Sequence, residues 1–114
     1  KMLYNYKIKN ILKVLDGDTI DVEIDLGFDV YVKRRVRFYG IDAPETRTRD
    51  PEEKARGKAS KAFLSDLIAN NKEDILLHSL DIGKYGRVIG EIYIAGKNVN
   101  KLLVSEGYAI SAEY

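Results

Sequence analysis

The sequence predicts a mainly β fold (α+β) of the OB type, a five-stranded, partly open barrel with a helix after strand three and a short helix after strand five. Two observations predict it. Apolar residues alternate with polar ones in five short segments, as in half-buried strands, and one long helical pattern falls between the third and fourth of them. Such barrels commonly present one face to oligonucleotides or oligosaccharides, although a fold alone does not assign a function.

The first half of the chain predicts a three-stranded antiparallel meander. Residues 6–15 and 19–24 carry apolar, β-rich patterns on either side of an Asp-Gly-Asp turn at 16–18. Residues 30–41 continue as a third strand, and Pro44 ends the pattern because proline cannot donate a ladder hydrogen bond. The residues of the third strand that we expect to face the core are Val32, Val36 and Phe38.

The second half predicts a helix, a strand pair and a short helix. The helix covers residues 52–70, the strands cover 74–80 and 88–95 with a turn at 84–87, and the short helix covers 98–106. Helical spacing predicts an inward-facing stripe on the long helix, formed by Ala55, Ala59, Ala62, Phe63 and Leu67. The inward residues of the short helix should be Val99, Leu102 and Leu103.

Composition limits the classes of protein that this chain can belong to. With 114 residues and 45% hydrophobic content, the chain has room for one domain, residues 1–114, around a modest core. No apolar run approaches the roughly eighteen residues of a membrane span. The absence of cysteine excludes disulfides and cysteine-ligated zinc. The net charge of +1 allows a mild basic face, since Lys33, Arg34, Arg35 and Arg37 cluster.

Acidic residues at predicted strand ends suggest a metal site. Asp18 ends the first turn and Asp42 ends the third strand, and carboxylate oxygens are the ligands that hard cations prefer. If these strand ends meet at one rim of the barrel, Asp18, Asp42 and a backbone carbonyl near Ala43 could hold calcium. Glu45 lies three residues beyond Asp42 and could polarise a water for attack.

Two arginines complete a set of groups suited to phosphodiester chemistry. Arg37 lies on the third predicted strand and Arg87 follows the Lys-Tyr-Gly turn. A guanidinium matches phosphate oxygens in pairs, and positioned charge supplies much of the catalysis of phosphoryl transfer.

Each of these features also has a purely structural explanation. Asp-Gly is a common turn pair, so residues 16–18 can be a plain turn. Asp42 and Glu45, beside Pro44, can belong to a solvated loop. Arg37 can be a solubilising charge on an edge strand, and residues 84–87 can be only a hairpin turn. His78, the one histidine of the sequence, has no triad partner in the pattern and is better explained as structural.

The order of four segments is more specific than any one of them. They are Asp-Gly-Asp-Thr at 16–19, Arg-Phe-Tyr-Gly-Ile-Asp-Ala-Pro-Glu-Thr at 37–46, Lys-Tyr-Gly-Arg at 84–87, and Asn-Val-Asn-Lys-Leu-Leu-Val-Ser-Glu-Gly-Tyr-Ala at 98–109. In this order they resemble the staphylococcal nuclease family, from about Ile8 to Tyr108. The resemblance implies an OB barrel with packed helices and a calcium-dependent hydrolase that cleaves DNA and RNA and leaves 3′-phosphates.

The resemblance also implies roles for individual residues. It makes Asp18 and Asp42 calcium ligands, with the main-chain carbonyl of Ala43 as a third, and Glu45 the general base or water-orienting carboxylate. Arg37 and Arg87 would bind the phosphate.

Further positions would contact the nucleotide. The resemblance places Lys84 and Tyr85 on a terminal phosphate, and Tyr114 can substitute for a stacking tyrosine where this chain has Glu113. The chain also departs from the family pattern at Ala43, where threonine is common, and at Gly83, where an acid is common. A change at Ala43 should be tolerated because its carbonyl is the ligand.

Two other classes of function stay open at this stage. One is a catalytically silent OB-type module that binds single strands by stacking, and the other is an interaction domain. The complete set of carboxylates and arginines favours the enzyme. For such an enzyme we expect nucleic acid as the partner and a monomer. The compartment is open, and the resemblance favours an extracellular location, secreted or surface-anchored.

Overall fold

The computed structural model describes residues 4–112. Its elements in chain order are β1 (Tyr4–Asp16), β2 (Thr19–Asp25), β3 (Tyr31–Phe38), β4 (Ile41–Asp42), α1 (Pro51–Ala69), β5 (Ile75–Ile82), β6 (Val88–Ile94), β7 (Lys97–Asn98), α2 (Val99–Ser105) and β8 (Ile110–Ser111). A single 3₁₀ turn, Lys84–Gly86, lies between β5 and β6.

Five of the strands close into a barrel, which confirms the predicted OB-type fold. The antiparallel neighbours follow the order β3-β2-β1-β5-β6, and a parallel pairing between β3 and β6 closes the ring. β1 reaches both β2 and β5 because it is 13 residues long and contains register shifts of the β-bulge type, which bend a strand. The strands β4, β7 and β8 are two-residue additions that the pattern analysis did not predict.

The hydrophobic core fills the barrel and extends to the two helices that pack against it. β2 shows the alternation most clearly, since Ile20, Val22 and Ile24 are buried while the residues between them are partly exposed. Val36 and Phe38 of β3 are fully buried, as predicted, and Val32 is half-buried. Val99 and Leu103 place α2 against the same core.

The predicted inward stripe of α1 is wrong for its three alanines, whereas Phe63 and Leu67 pack against the core. Ala55, Ala59 and Ala62 are exposed, whereas the buried residues of this helix are Gly57, Ser60, Leu64 and Ile68. The helix is rotated relative to the prediction because the loops at the barrel rim come close to it at Gly57 and Ser60, where only small residues fit. Phe63 and Leu67 are half-buried at the edge of this contact.

The third predicted strand is interrupted before Asp42. β3 ends at Phe38, and Gly40 adopts φ +78°, a left-handed conformation that side chains disfavour and glycine tolerates. The chain then forms β4, which pairs with β8. Asp42 therefore belongs to a separate short strand that turns across the barrel rim.

Among residues 4–112, no helix is long and apolar enough to cross a membrane.

Candidate active site

A cleft of about 300 Å³ at the barrel rim brings together most of the residues that the sequence predicted for the site. The β1–β2 turn, β3, β4 with the loop after it, and the residue before β6 all contribute. The residues lining it are Leu15, Asp16, Asp18, Thr19, Arg35, Arg37, Asp42, Ala43, Glu45, Arg47 and Arg87.

Asp18 connects three parts of the rim through its carboxylate. Its side chain is only 7% exposed. Oδ1 accepts a hydrogen bond from the hydroxyl of Thr19 at 2.8 Å, and Oδ2 accepts one from the backbone N–H of Ala43 at 2.7 Å. The Nη1 atom of Arg37 lies 3.2 Å from the same Oδ2. Asp18 is therefore held in one orientation by groups from β2, β3 and the loop after β4.

Arg37 supports the corner between β3 and β4. Its Nη1 donates to the backbone carbonyls of Phe38 at 3.1 Å and Ile41 at 3.0 Å. Its Nη2 lies 3.5 Å from Oδ1 of Asp42. The side chain is 16% exposed, so the guanidinium is partly withdrawn from water while it contacts both carboxylates.

The donor set at this point is suited to a hard cation. Asp18 and Asp42 converge on a single positively charged group, which shows that the position favours positive charge. Asp42 is 60% exposed and can turn to a ligand on the solvent side. Among residues 4–112, no three or more His, Cys, Asp or Glu side chains cluster as metal ligands. A cation here would thus depend on two carboxylates, main-chain oxygen and water, and calcium accepts such a set.

Glu45 and Arg87 face the same cleft from its outer side. Glu45 is exposed on the loop between β4 and α1, and its backbone N–H donates to Oε2 of Glu53 at 3.3 Å. Arg87 is also exposed, and its backbone closes the 3₁₀ turn through a bond from its N–H to the carbonyl of Lys84 at 3.3 Å. The cleft thus presents a carboxylate and a guanidinium to solvent beside Asp18, Arg37 and Asp42.

The predicted nucleotide-contacting residues stand apart from the cleft. Lys84 and Tyr85 belong to the 3₁₀ turn and do not line it. The Tyr85 side chain is fully exposed, and its backbone has φ +62°, a conformation that is rare for a tyrosine. The predicted contact from Tyr114 lies outside the described residues.

An ion pair beside the cleft was not foreseen. Arg35 Nε lies 2.8 Å from Oδ1 of Asp21 and Arg35 Nη2 lies 3.2 Å from Oδ2. The hydrogen bond from Arg35 lowers the pKa of Asp21, burial partly opposes this, and the charges of Arg35 and Lys13 lower it further. The same bond raises the pKa of Arg35. Strand alternation could have indicated Arg35, because it lies two residues from Arg37 on the same face.

The sequence analysis also missed how the loop after β4 is attached. Thr46 donates to Oδ1 of Asp16 through both its backbone N–H, at 3.1 Å, and its hydroxyl, at 2.8 Å. Asp16 was considered only as part of a turn. No local pattern indicates this pair, since 30 residues separate its members.

A large part of the sequence matches a known protein family. Residues 35–114 match the family model of staphylococcal nuclease homologues. The chain belongs to the staphylococcal nuclease family. The resemblance predicted from the four ordered segments is therefore confirmed.

Individual relatives in this family show moderate identity. An uncharacterised endonuclease of Escherichia coli is 33% identical over 100 residues, which cover 87% of this chain and 57% of that protein. The thermonuclease of Staphylococcus intermedius is 31% identical over 104 residues, covering 91% of this chain and 59% of the relative. Endonuclease YncB of Bacillus subtilis is 30% identical over 100 residues, which cover 85% of this chain and 44% of that protein. The chain thus spans less than two thirds of the length of these relatives.

Proposed function

We propose that this chain is a calcium-dependent nuclease that hydrolyses phosphodiester bonds of DNA and RNA with little sequence specificity and leaves 3′-phosphates. The observation that carries the proposal is the convergence of Asp18, Arg37 and Asp42 in one cleft with Glu45 and Arg87. Membership of the staphylococcal nuclease family, and relatives named as endonucleases and a thermonuclease, support it.

Asp18, Asp42 and the main-chain carbonyl of Ala43 would hold the calcium ion. When bound, calcium would polarise a phosphoryl oxygen and make a bound water more acidic. Asp18 suits the buried side of this site because its hydrogen bonds to Thr19 and Ala43 leave it little freedom to turn.

Glu45 would act on the attacking water. Glu45 is exposed and lines the cleft, where its carboxylate would accept a proton from the water that attacks phosphorus. The bond from phosphorus to the 5′ oxygen would break, so the phosphate stays on the 3′ oxygen and the 5′ oxygen leaves with a proton taken from water. Arg37 and Arg87 would bind the non-bridging phosphate oxygens and stabilise the negative charge that develops on them. Removing one such donor typically lowers kcat by a factor of about 10² to 10³.

Contacts beyond the scissile phosphate would come from the 3₁₀ turn. Lys84 carries a cation for a terminal phosphate, and Tyr85 presents an exposed ring beside it. We include Tyr114 in the proposed nucleotide contacts as a stacking residue.

The test is cleavage of a quenched fluorescent single-stranded DNA, and of its RNA counterpart, with calcium and then with excess chelator. We expect cleavage that the chelator abolishes, and loss of most turnover in Glu45→Gln with calcium affinity retained. Glu52→Gln is the matched control, because Glu52 is an exposed glutamate of α1 that does not line the cleft. Digestion of the products by a phosphatase specific for 3′-phosphates reports whether the phosphate is on the 3′ end.

Two outcomes would contradict the proposal. A folded sample that retains labelled DNA without cleaving it would favour the silent binding module. Full activity in Glu45→Gln would remove the role given to that carboxylate.

A further inference from the structure

The main chain around Glu45 is held at three points by residues outside the proposed catalytic set. We propose that four positioning residues hold the Glu45 carboxylate in place for hydrolysis. They are Asp16, Thr46, Glu53 and Gly57, here named the Glu45 clamp. This inference rests on the proposed function.

The first point of the clamp joins the Glu45 loop to the turn that carries Asp18. Both the N–H and the hydroxyl of Thr46 donate to Oδ1 of Asp16, at 3.1 and 2.8 Å. Thr46 directly follows Glu45, and Asp16 lies two residues before Asp18. The bond pair therefore links the main chain beside the proposed base to the turn that carries the proposed metal ligand.

The second point joins the loop to the start of α1. Oε2 of Glu53 accepts the backbone N–H of Glu45 at 3.3 Å. Glu53 is half-buried, whereas its neighbour Glu52 is exposed. Asp50 caps the same helix by accepting from the N–H of Glu52 at 3.0 Å, so Glu53 projects from an ordered first turn.

The third point is a close approach between α1 and the loop at Gly57. A Cβ atom added there would clash with the carbonyl oxygen of Glu45 and would lie 3.0 Å from that of Pro44. Glycine inside a helix is less favourable than alanine. Its presence at this position is explained by the approach of the Glu45 main chain, which a side chain would push away.

These contacts hold the main chain and leave the side chain available. Among residues 4–112, the hydrogen bond of Glu45 is made by its backbone N–H, and Glu45 is one of the residues that line the cleft. Without these contacts, the exposed loop would allow the general base to adopt many positions. A displacement of about 1 Å in a reacting group can lower the rate by about a hundredfold. The contacts with Asp16 on one side and with α1 on the other hold the main chain at residues 45 and 46. They therefore restrict where the Glu45 carboxylate can move.

The kinetic test uses Thr46→Val and Glu53→Ala. We expect each to lower kcat by about ten- to a hundredfold, since the base is no longer held in place. The KM for DNA and the calcium dissociation constant should stay within about twofold of those of the unmodified chain, because the proposed ligands are untouched. Thr46→Ser keeps the hydroxyl and should restore kcat.

Two matched variants distinguish a loss of positioning from two other causes of a lower kcat. These causes are a less stable helix and a changed loop composition. Glu52→Ala removes the other first-turn glutamate and the same favourable interaction with the helix dipole, and it should leave kcat unchanged. Thr48→Ser changes a second half-buried threonine of the same loop, keeps the hydroxyl that accepts the N–H of Asp50, and should also leave kcat unchanged.

Gly57→Ala tests the third point. We expect kcat to fall as in Thr46→Val, because the added methyl displaces the Glu45 main chain. The adjacent Lys58→Ala, on an exposed position, is its control. If Gly57→Ala fails to fold, the Thr46 and Glu53 variants still decide the proposal.

Amide hydrogen exchange gives a readout that does not depend on cleavage. The Glu45 amide should be protected in the unmodified chain and in Glu52→Ala, and should exchange faster in Glu53→Ala. Equal exchange in all three would overturn the second point of the clamp even in a chain that does not cleave DNA.

The outcomes distinguish the clamp from the proposed function. If Glu45→Gln is inactive while Thr46→Val and Glu53→Ala keep full kcat, the clamp is overturned and the nuclease proposal stands. If Glu45→Gln keeps full activity, the role of Glu45 is wrong whatever the exchange data show. Equal losses in kcat and in calcium affinity would indicate general distortion of the site and would also overturn the clamp.

Discussion

The Nη1 atom of Arg37 lies 3.2 Å from Oδ2 of Asp18, so a proposed phosphate-binding group contacts a proposed calcium ligand directly. The same guanidinium reaches Asp42 at 3.5 Å. A cation bound by these carboxylates would carry the same sign of charge as Arg37. The positive charge of Arg37 should therefore weaken the binding of the metal ion to the carboxylates. Both positive charges should favour binding of the negatively charged phosphate.

This relationship predicts different effects of Arg37→Ala on turnover and on calcium. We expect kcat to fall by about 10² to 10³ because a donor to the phosphate is lost. Calcium should bind at least as tightly as before, since a nearby positive charge is removed. Titration calorimetry measures the affinity, with Arg34→Ala on an exposed position as the control. Weaker calcium binding in Arg37→Ala would show that the arginine mainly orders the ligands.

The two proposed ligands should differ in their contribution to stability. Asp18→Ala leaves the N–H of the buried Ala43 without its 2.7 Å partner, which costs about 1–3 kcal/mol of the free energy of unfolding. Asp42→Ala changes a carboxylate that is 60% exposed and should cost less than about 0.5 kcal/mol. Urea denaturation in excess chelator measures both values. Calcium affinity should fall in both variants, and equal stability losses would contradict the burial argument.

Asn100 should be a stability determinant that also affects the site. Its side chain is 2% exposed, accepts the N–H of Ile92 at 3.1 Å, and donates to the carbonyls of Tyr39 at 2.8 Å and Gly90 at 3.2 Å. Asn100→Ala should cost about 1–3 kcal/mol of the free energy of unfolding, because the buried N–H of Ile92 loses its acceptor. The Tyr39 contact lies at the corner that leads to Asp42, so calcium affinity should fall as well. Lys101→Ala, on the exposed neighbour, should change neither quantity.

The ion pair between Asp21 and Arg35 predicts a small pH-dependent contribution to stability. The folded-state pKa of Asp21 is lowered, chiefly by the hydrogen bond from Arg35. The stabilisation is therefore present above the ordinary aspartate pKa of about 3.9 and is lost as the pH falls through the lower folded value. Because the pair is exposed, the loss in Asp21→Asn should stay below about 1 kcal/mol at neutral pH. Thermal unfolding at several pH values checks this, and a difference that grows in acid would contradict it.

Much of the fold followed from local sequence. The alternation in β2, the helix that begins at Pro51 and the turn that precedes Arg87 are set by residues close together in the chain. Their order was sufficient to predict a barrel of the OB type. The same local segments, taken in order, were sufficient to place the chain in the staphylococcal nuclease family.

The predictions were wrong where packing between distant segments of the chain decides the structure. The alanine stripe of α1 satisfied helical periodicity, yet the helix turns Gly57 and Ser60 inward because the loops at the barrel rim approach it closely. The third strand was predicted to continue to Ile41. It stops at Phe38 because the chain bends at Gly40 and its new direction is held by Asn100, far away in sequence.

The sequence by itself determined the order of strands and helices, the barrel class and the set of residue types available for a metal and a phosphate. Only the tertiary structure decided that Arg37 bridges Asp18 and Asp42, and that Thr46 and Glu45 are tied to Asp16 and Glu53. The physical reason is that alternation and helical period are local properties of the chain. Distances between side chains 20 or 30 positions apart depend instead on strand register, barrel closure and helix rotation, which the whole core sets together.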